Sequence, residues 1–298
     1  MLRVVALSSV VALAVAGWPS SATHAQDILL PQDAKSVRFA VIGDSGTGGS
    51  AQLRVAQRLA AVRAKFPFTF TLMLGDNLYG SERPDDFAEK FERPYKPLLD
   101  AGVKFYAALG NHDDPNQRFY KPFNMNGERY YSFKPPDGNV RFFALDSNYM
   151  DKAQVAWLEK ELAGSDSDWK ICFFHHPVYS SGDKHGSDTE LRSLLEPLFL
   201  KHGVDLVLTG HEHFYERLKP QHGINYIIAG NAAKLRRGNI GGTTLTAKGF
   251  DQGYAFMLME IAGDTLHFQT ITDQGRTIDS GTMRRRADAT SAPKTPDR

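Results

Sequence analysis

Short apolar runs that end in Gly and then a polar cluster recur along this chain. The first covers residues 36–42, is β-branched and aromatic, and stops at Gly43-Asp44-Ser45-Gly46; a run of that length and composition predicts a strand. Residues 51–65 contain neither Gly nor Pro, with Leu53, Ala56, Leu59 and Ala60 at helical spacing. A second apolar run, 68–74, delivers Gly75-Asp76-Asn77-Leu78-Tyr79. Strand, helix and strand in that order predict a parallel βαβ unit and an α/β fold.

The alternation continues downstream. Phe87, Phe91 and Tyr95 recur every fourth residue within 85–95, a helix face that packing explains. Residues 104–109 form a short strand ending in Gly110-Asn111-His112-Asp113. Segments 129–133 and 140–145, separated by Pro135-Pro136-Asp137-Gly138, predict a hairpin. Helical spacing returns over 154–162 and 188–201. Strands over 170–174 and 204–208 end at His175-His176-Pro177 and Gly210-His211-Glu212-His213. Three further runs, 225–229, 254–261 and 265–272, close the ordered part, and the alternation of the last ones beside turns predicts antiparallel pairing on a second sheet. Neither an internal repeat nor an interdomain linker interrupts residues 26–282, which read as one domain; residues 283–298, basic and then Ala-, Thr- and Pro-containing, read as a disordered tail.

Composition narrows the setting. The chain has 298 residues, enough to bury a substantial core, and a formal net charge of +1. Arg3 is the only Lys, Arg, Asp or Glu before Ala25, so removal of that leader leaves about 0, which excludes an electrostatic case for nucleic acid or an anionic membrane. Arg3 precedes an apolar run from Val4 to Ala16, Gly17-Trp18-Pro19 breaks it, and Ala25 offers a small residue for cleavage: residues 1–25 read as a signal peptide, and the protein as secreted or periplasmic. The run is shorter than the roughly 20 residues that span a bilayer, and nothing later approaches that length. Cys172 is the only cysteine, so no intramolecular disulfide forms, and its apolar neighbours predict a buried, inert thiol.

Open α/β sheets gather their ligand sites at the carboxyl ends of strands. Five strand endings here carry Asp44, Asp76, Asn111, His175 and His211. Singly, each has a plainer explanation, since Asp and Asn favour turns and a lone His is commonly structural. Jointly they form a donor set of carboxylate, phenol, amide and imidazole without thiolate, which suits iron, zinc or manganese rather than copper(I). His211 and His213 are separated by one residue, so either the chain turns there or each histidine serves a different ion, with Asp76 joining the two.

Taken in order, Gly43-Asp44, Gly75-Asp76, Gly110-Asn111-His112-Asp113, His175 and Gly210-His211-Glu212-His213 resemble the calcineurin-like metallophosphoesterases over roughly residues 37–217. Gly-Asp-Asn-Leu-Tyr at 75–79 is similar to the tyrosinate-bearing motif of the purple acid phosphatases, and His175-His176-Pro177-Val178-Tyr179-Ser180 with the single-domain length is similar to their small tartrate-resistant type. The resemblance implies a four-layer α-β-β-α sandwich of two mixed sheets with the metal site at the strand ends. It implies Asp44, Asp76, Tyr79 and His213 around a ferric ion, and Asp76, Asn111, His175 and His211 around a divalent Fe, Zn or Mn. Of the paired histidines it assigns His175 to metal, while His176 falls where the family varies; residue chemistry alone does not separate them, because the preceding strand is apolar on both faces. His112 and His185 match histidines that line the phosphate pocket, His112 as general acid and His185 as a holder of phosphate oxygen. The implied reaction is phosphomonoester hydrolysis by a metal-bound hydroxide at acidic pH, in a monomer acting on small phosphorylated substrates.

Three other readings compete. Gly46-Thr47-Gly48-Gly49-Ser50-Ala51 fits a dinucleotide fingerprint between strand and helix, yet the ribose-binding carboxylate is not where that motif needs it, and the histidines stay unexplained. Those glycines instead predict a turn beside the metals whose N–H groups reach phosphate. A phosphodiesterase of the same superfamily shares the ligand set, and a metal-binding module without turnover would keep it. Lys234, Arg236 and Arg237 read as solvated charges.

Overall fold

A computed structural model describes residues 27–286. The leader at 1–25 and most of the tail, from residue 287 on, lie outside the described residues. The chain runs β1 (Val37–Ile42), α1 (Ser50–Arg63), β2 (Phe70–Met73), α2 (Pro84–Phe87), α3 (Arg93–Asp100), β3 (Lys104–Ala107), β4 (Tyr131–Phe133), β5 (Val140–Ala144), α4 (Lys152–Ala163), β6 (Trp169–Phe174), α5 (Thr189–His202), β7 (Leu206–Thr209), β8 (Tyr215–Leu218), β9 (Asn225–Ala229), β10 (Thr246–Phe250), β11 (Ala255–Ala262), β12 (Thr265–Thr272) and β13 (Thr277–Arg284). A π-helical turn, Ala88–Glu92, joins α2 to α3. Its cause is local: Pro94 has no N–H to offer the Lys90 carbonyl, which accepts from Gln52 Nε2 instead.

Two mixed sheets form, in the orders β13-β12-β11-β1-β2-β3 and β10-β8-β9-β7-β6-β5-β4. β1, β2 and β3 are mutually parallel, as are β5, β6, β7 and β9. The sheets pack face to face through aromatic rings, with Phe39 and Phe70 of one sheet edge-on to Phe142 of the other at 5.2 and 5.4 Å. On one outer face α1 buries Val55, Ala56, Leu59 and Val62, and α3 buries Tyr95 and Leu98. Opposite, Leu158 and Leu162 of α4 and Leu191, Leu195 and Phe199 of α5 pack on Phe143, Cys172, Phe174 and Val207. These are the four layers α-β-β-α, and β6 is buried on both faces because it lies between a helix layer and the other sheet.

The last strands depart from expectation. β11 and β12 are antiparallel, but they extend the first sheet, since β11 pairs with β1 in the register Val41↔Met257. β13 pairs with β12 as far as Arg284, so ordered strand continues past residue 282. Burial favours this arrangement: beside β1, all but the last residue of β11 is buried. The two sheets put the carboxyl ends of β1, β2 and β3 opposite those of β6 and β7, and the polar clusters meet across that seam.

Candidate metal centre

The turns that follow these strands are held in unusual backbone. Asp44, Asp76 and His211 all have positive φ, at 55°, 52° and 67°. Non-Gly residues in that region cost of order 1–3 kcal/mol each and persist where the surroundings over-determine them. The glycine before three of the candidate ligands makes room for the ligand of another strand: a Cβ at Gly75 would lie 2.6 Å from His175 Nδ1, one at Gly110 2.3 Å from Asp76 Oδ1, and one at Gly210 2.6 Å from Asp44 Oδ2. The repeated Gly is therefore a packing requirement of the site as well as a turn.

Two donor groups result. Asp44, Asp76 and His213 bring ligand atoms within 4.8 Å of one another, and Tyr79 Oη stands 3.2 Å from Asp44 Oδ1 and 3.3 Å from His213 Nε2. His175, His176 and His211 form the second group, with His211 Nδ1 3.1 Å from His175 Nε2, which is itself 3.1 Å from Asn111 Oδ1. Asp76 joins them, its Oδ1 lying 3.4 Å from His175 Nε2. His211 and His213 satisfy both sequence alternatives: the chain turns at His211, and each ring faces a different group. His112 and His185 flank the pair, the first with its ring 4.9 Å from that of Tyr79, the second 4.3 Å from His211.

The electrostatics match a cation site. Burial, then the neighbouring Asp76, pushes the Asp44 carboxyl well above its usual range. Burial holds His175 far below the ordinary imidazole value and takes His211 to about 2 and His213 to about 3, so the rings are neutral with lone pairs available. The Tyr79 phenol is pushed up by burial and by Asp44, and would ionise there only against a strong Lewis acid. Facing buried carboxylates, neutral imidazoles and a phenol make a donor set that fits two metal ions.

Several supporting residues were not legible in the sequence. Asp113 accepts from the backbone N–H of Asn77, Leu78 and Gly110 at 3.1, 3.0 and 2.8 Å, tying the Asp76 and Asn111 turns together. Burial followed by Asp76 raises it to about 7. Glu212, fully buried, accepts from Gly186 N beside His185 at 3.0 Å and pairs with Arg236 at 3.1 Å. Lys234 Nζ sits 4.4 Å from the centre of the Tyr79 ring. Lys234 and Arg236 are thus parts of the site, contrary to the solvated reading, while Arg237 is exposed. The glycine turn is corrected too: the N–H groups of Gly46, Thr47, Gly48 and Gly49 are spent on Asp76 O, Ser45 O, Gln52 Oε1 and Thr47 Oγ1 rather than facing a phosphate.

Comparison with known proteins agrees with this geometry. The sequence profile of the calcineurin-like phosphoesterases matches residues 37–215. The chain is 30% identical over 250 residues to purple acid phosphatase 17 of Arabidopsis thaliana, covering 72% of this chain and 73% of that protein. Identity to tartrate-resistant acid phosphatase type 5 of Homo sapiens is 29% over 250 residues, covering 69% and 77%. Among solved structures, GAP50, the anchor in the inner membrane complex of Plasmodium, matches with a TM-score of 0.72 at 20% identity, over 86% of this chain and 90% of that one, a likeness of fold alone. The chain belongs to the calcineurin-like phosphoesterases and, within them, to the purple acid phosphatases. It is a metal-dependent phosphatase.

Proposed function

We propose that this protein is an exported acid phosphatase that hydrolyses small phosphomonoesters at a ferric–divalent centre. The observation that carries the reading is the meeting of the two donor groups at Asp76, whose Oδ1 is 3.4 Å from His175 Nε2 while the same carboxylate belongs with Asp44 and His213. Asp44, Asp76, Tyr79 and His213 would hold the ferric ion, and Asp76, Asn111, His175 and His211 a divalent Fe, Zn or Mn. Such an ion pair, when bound, lowers the pKa of water and clamps attacking and leaving oxygens in line.

The protein's own groups do the rest. His112 is solvent-exposed, and its backbone N–H donates to Asp76 Oδ1 at 3.0 Å, which keeps its ring at the rim, where a leaving alkoxide needs a proton. His185 is held beside His211 through the Glu212 to Gly186 contact and would orient a phosphate oxygen together with Asn111. A cavity of about 410 Å³ adjoins Asn111 and carries Ser147, Asn148, Tyr149 and Asp188 but no Lys or Arg, which supports a compact leaving group over a polyanion. The near-neutral charge supports a small substrate rather than nucleic acid, and the apolar leader supports export. No helix among the described residues is long and apolar enough to cross a membrane.

The test combines metal analysis, a visible spectrum of the oxidised protein and a phosphomonoesterase assay across pH, with and without chelator. Iron with a second metal, activity lost on chelation, and visible absorbance abolished by Tyr79→Phe are expected. Full activity from a colourless, iron-free protein would remove the ferric assignment, and activity indifferent to metal would remove the mechanism.

A further inference from the structure

His176 has no role in the ligand set above, yet the fold aims it at the same place. It follows His175 at the end of β6, and its ring lies 4.5 Å from the His211 ring and 5.0 Å from that of His175. The three imidazoles offer ligand atoms all within 4.8 Å of one another. Two nitrogens bound at about 2.1 Å to a tetrahedral ion lie about 3.4 Å apart, so the third ring reaches the same ion with a shift of at most about 1.4 Å, within the range of a side-chain rotation.

A second contact orients that ring. Ser147 Oγ lies 2.9 Å from His176 Nδ1 and accepts the His176 backbone N–H at 3.1 Å. With Nδ1 engaged by an oxygen, Nε2 is the nitrogen left for an ion, the arrangement by which outer-shell partners fix metal-binding histidines. His175 shows the same device, with Nδ1 2.9 Å from Leu74 O and Nε2 turned to Asn111 and His211. His176 also lines the cavity beside Asn111, so its ring stands between the second donor group and the space a substrate enters.

We infer that His176 is an additional nitrogen donor to the divalent ion, making that position a three-histidine site. This rests on the dinuclear reading above and adds a selectivity to it: a third imidazole favours zinc over manganese, whose preferred donors are carboxylate, carbonyl and water.

The full-length chain, depleted of metal, is titrated with Zn²⁺, with Mn²⁺ and with Co²⁺ as a visible probe, comparing wild type with His176→Asn, Ser147→Ala and His175→Asn. His176→Asn should weaken zinc at the second site by at least about tenfold, narrow the zinc-to-manganese preference and alter the Co²⁺ spectrum. Ser147→Ala, which keeps the ring but frees it, should weaken zinc in the same direction by less. A circular dichroism melt and retention of the first ion establish that each variant is folded. Zinc affinity and a Co²⁺ spectrum unchanged in His176→Asn but lost in His175→Asn would overturn the inference and leave the dinuclear reading standing. If His175→Asn also binds as wild type does, the reading itself fails and the inference with it.

Discussion

Gly110→Ala isolates what the close approach of two strand-end turns does for the centre. The added Cβ would stand 2.2 Å from Asp76 N and 2.3 Å from Asp76 Oδ1, against ordinary contacts that begin at 3.4 Å, a deficit of 1.1 to 1.2 Å. Asp76 cannot rotate away, because its carbonyl accepts from Gly46 N and the next two N–H groups are bound by Asp113. The carboxylate proposed to bridge the ions must therefore move by about 1 Å, a misplacement of the size that costs on the order of 100-fold in rate. Overpacking of this kind costs about 1–3 kcal/mol of stability, a drop of roughly 4–8 °C at 2 kcal/mol for a domain of this size. The assay is kcat/KM on a chromogenic phosphomonoester, with metal content and a thermal melt on the same preparation. Gly203→Ala serves as the control: its φ is +70°, with open space where the Cβ would go, so it should lose about 1 kcal/mol from backbone strain and no activity. A Gly110→Ala protein whose kcat/KM stays within about threefold of wild type, with both ions bound, would refute the reasoning.

Two further outcomes follow from buried carboxylates outside the proposed ligand set. Glu212→Ala strands Arg236 and releases the Gly186 amide, so it should cost about 3 kcal/mol in a thermal melt and raise KM through the loosened His185. Asp205 is lifted to about 6 by burial, although it accepts from the backbone N–H of Lys170 and Arg286. Its unfolded value is about 3.9, so the folded state holds the extra proton between roughly pH 4 and 6, and the group's stabilisation is present below that window and lost as pH rises through it. Asp205→Asn should therefore gain on wild type in melts from pH 4 to 7, by up to about 3 kcal/mol; a difference independent of pH would refute the burial argument.

Much of this protein was legible in the residues alone. Burial on both faces writes continuous apolar runs, as in 171–174, and a helix writes its own spacing, because each depends on neighbours a few residues away. The order of Asp44, Asp76, Asn111, His175, His211 and His213 likewise marked the family. Alternation showed that residues 254–272 pair antiparallel, but it does not name the neighbouring strand. β11 lies beside β1, more than 200 residues back in the chain, and the shared core decides that. β8, β10 and β13 went unread because their sequences, YERL, TAKGF and TIDSGTMR, mix polar and small residues at edges or under partial cover.

The site divides in the same way. Sequence named its metal-binding chemistry, since donor type and spacing are properties of the residues themselves. Tertiary structure decided that Gly75, Gly110 and Gly210 make room for candidate ligands of other strands, that Asp113 ties two turns together, and that Glu212 and Arg236 form a pair behind His213. It also turned His176 toward His211, which the doubly buried β6 left open. These depend on burial and on distances between segments far apart in the chain, and a side chain's neighbours across such a gap exist only once both sheets have packed.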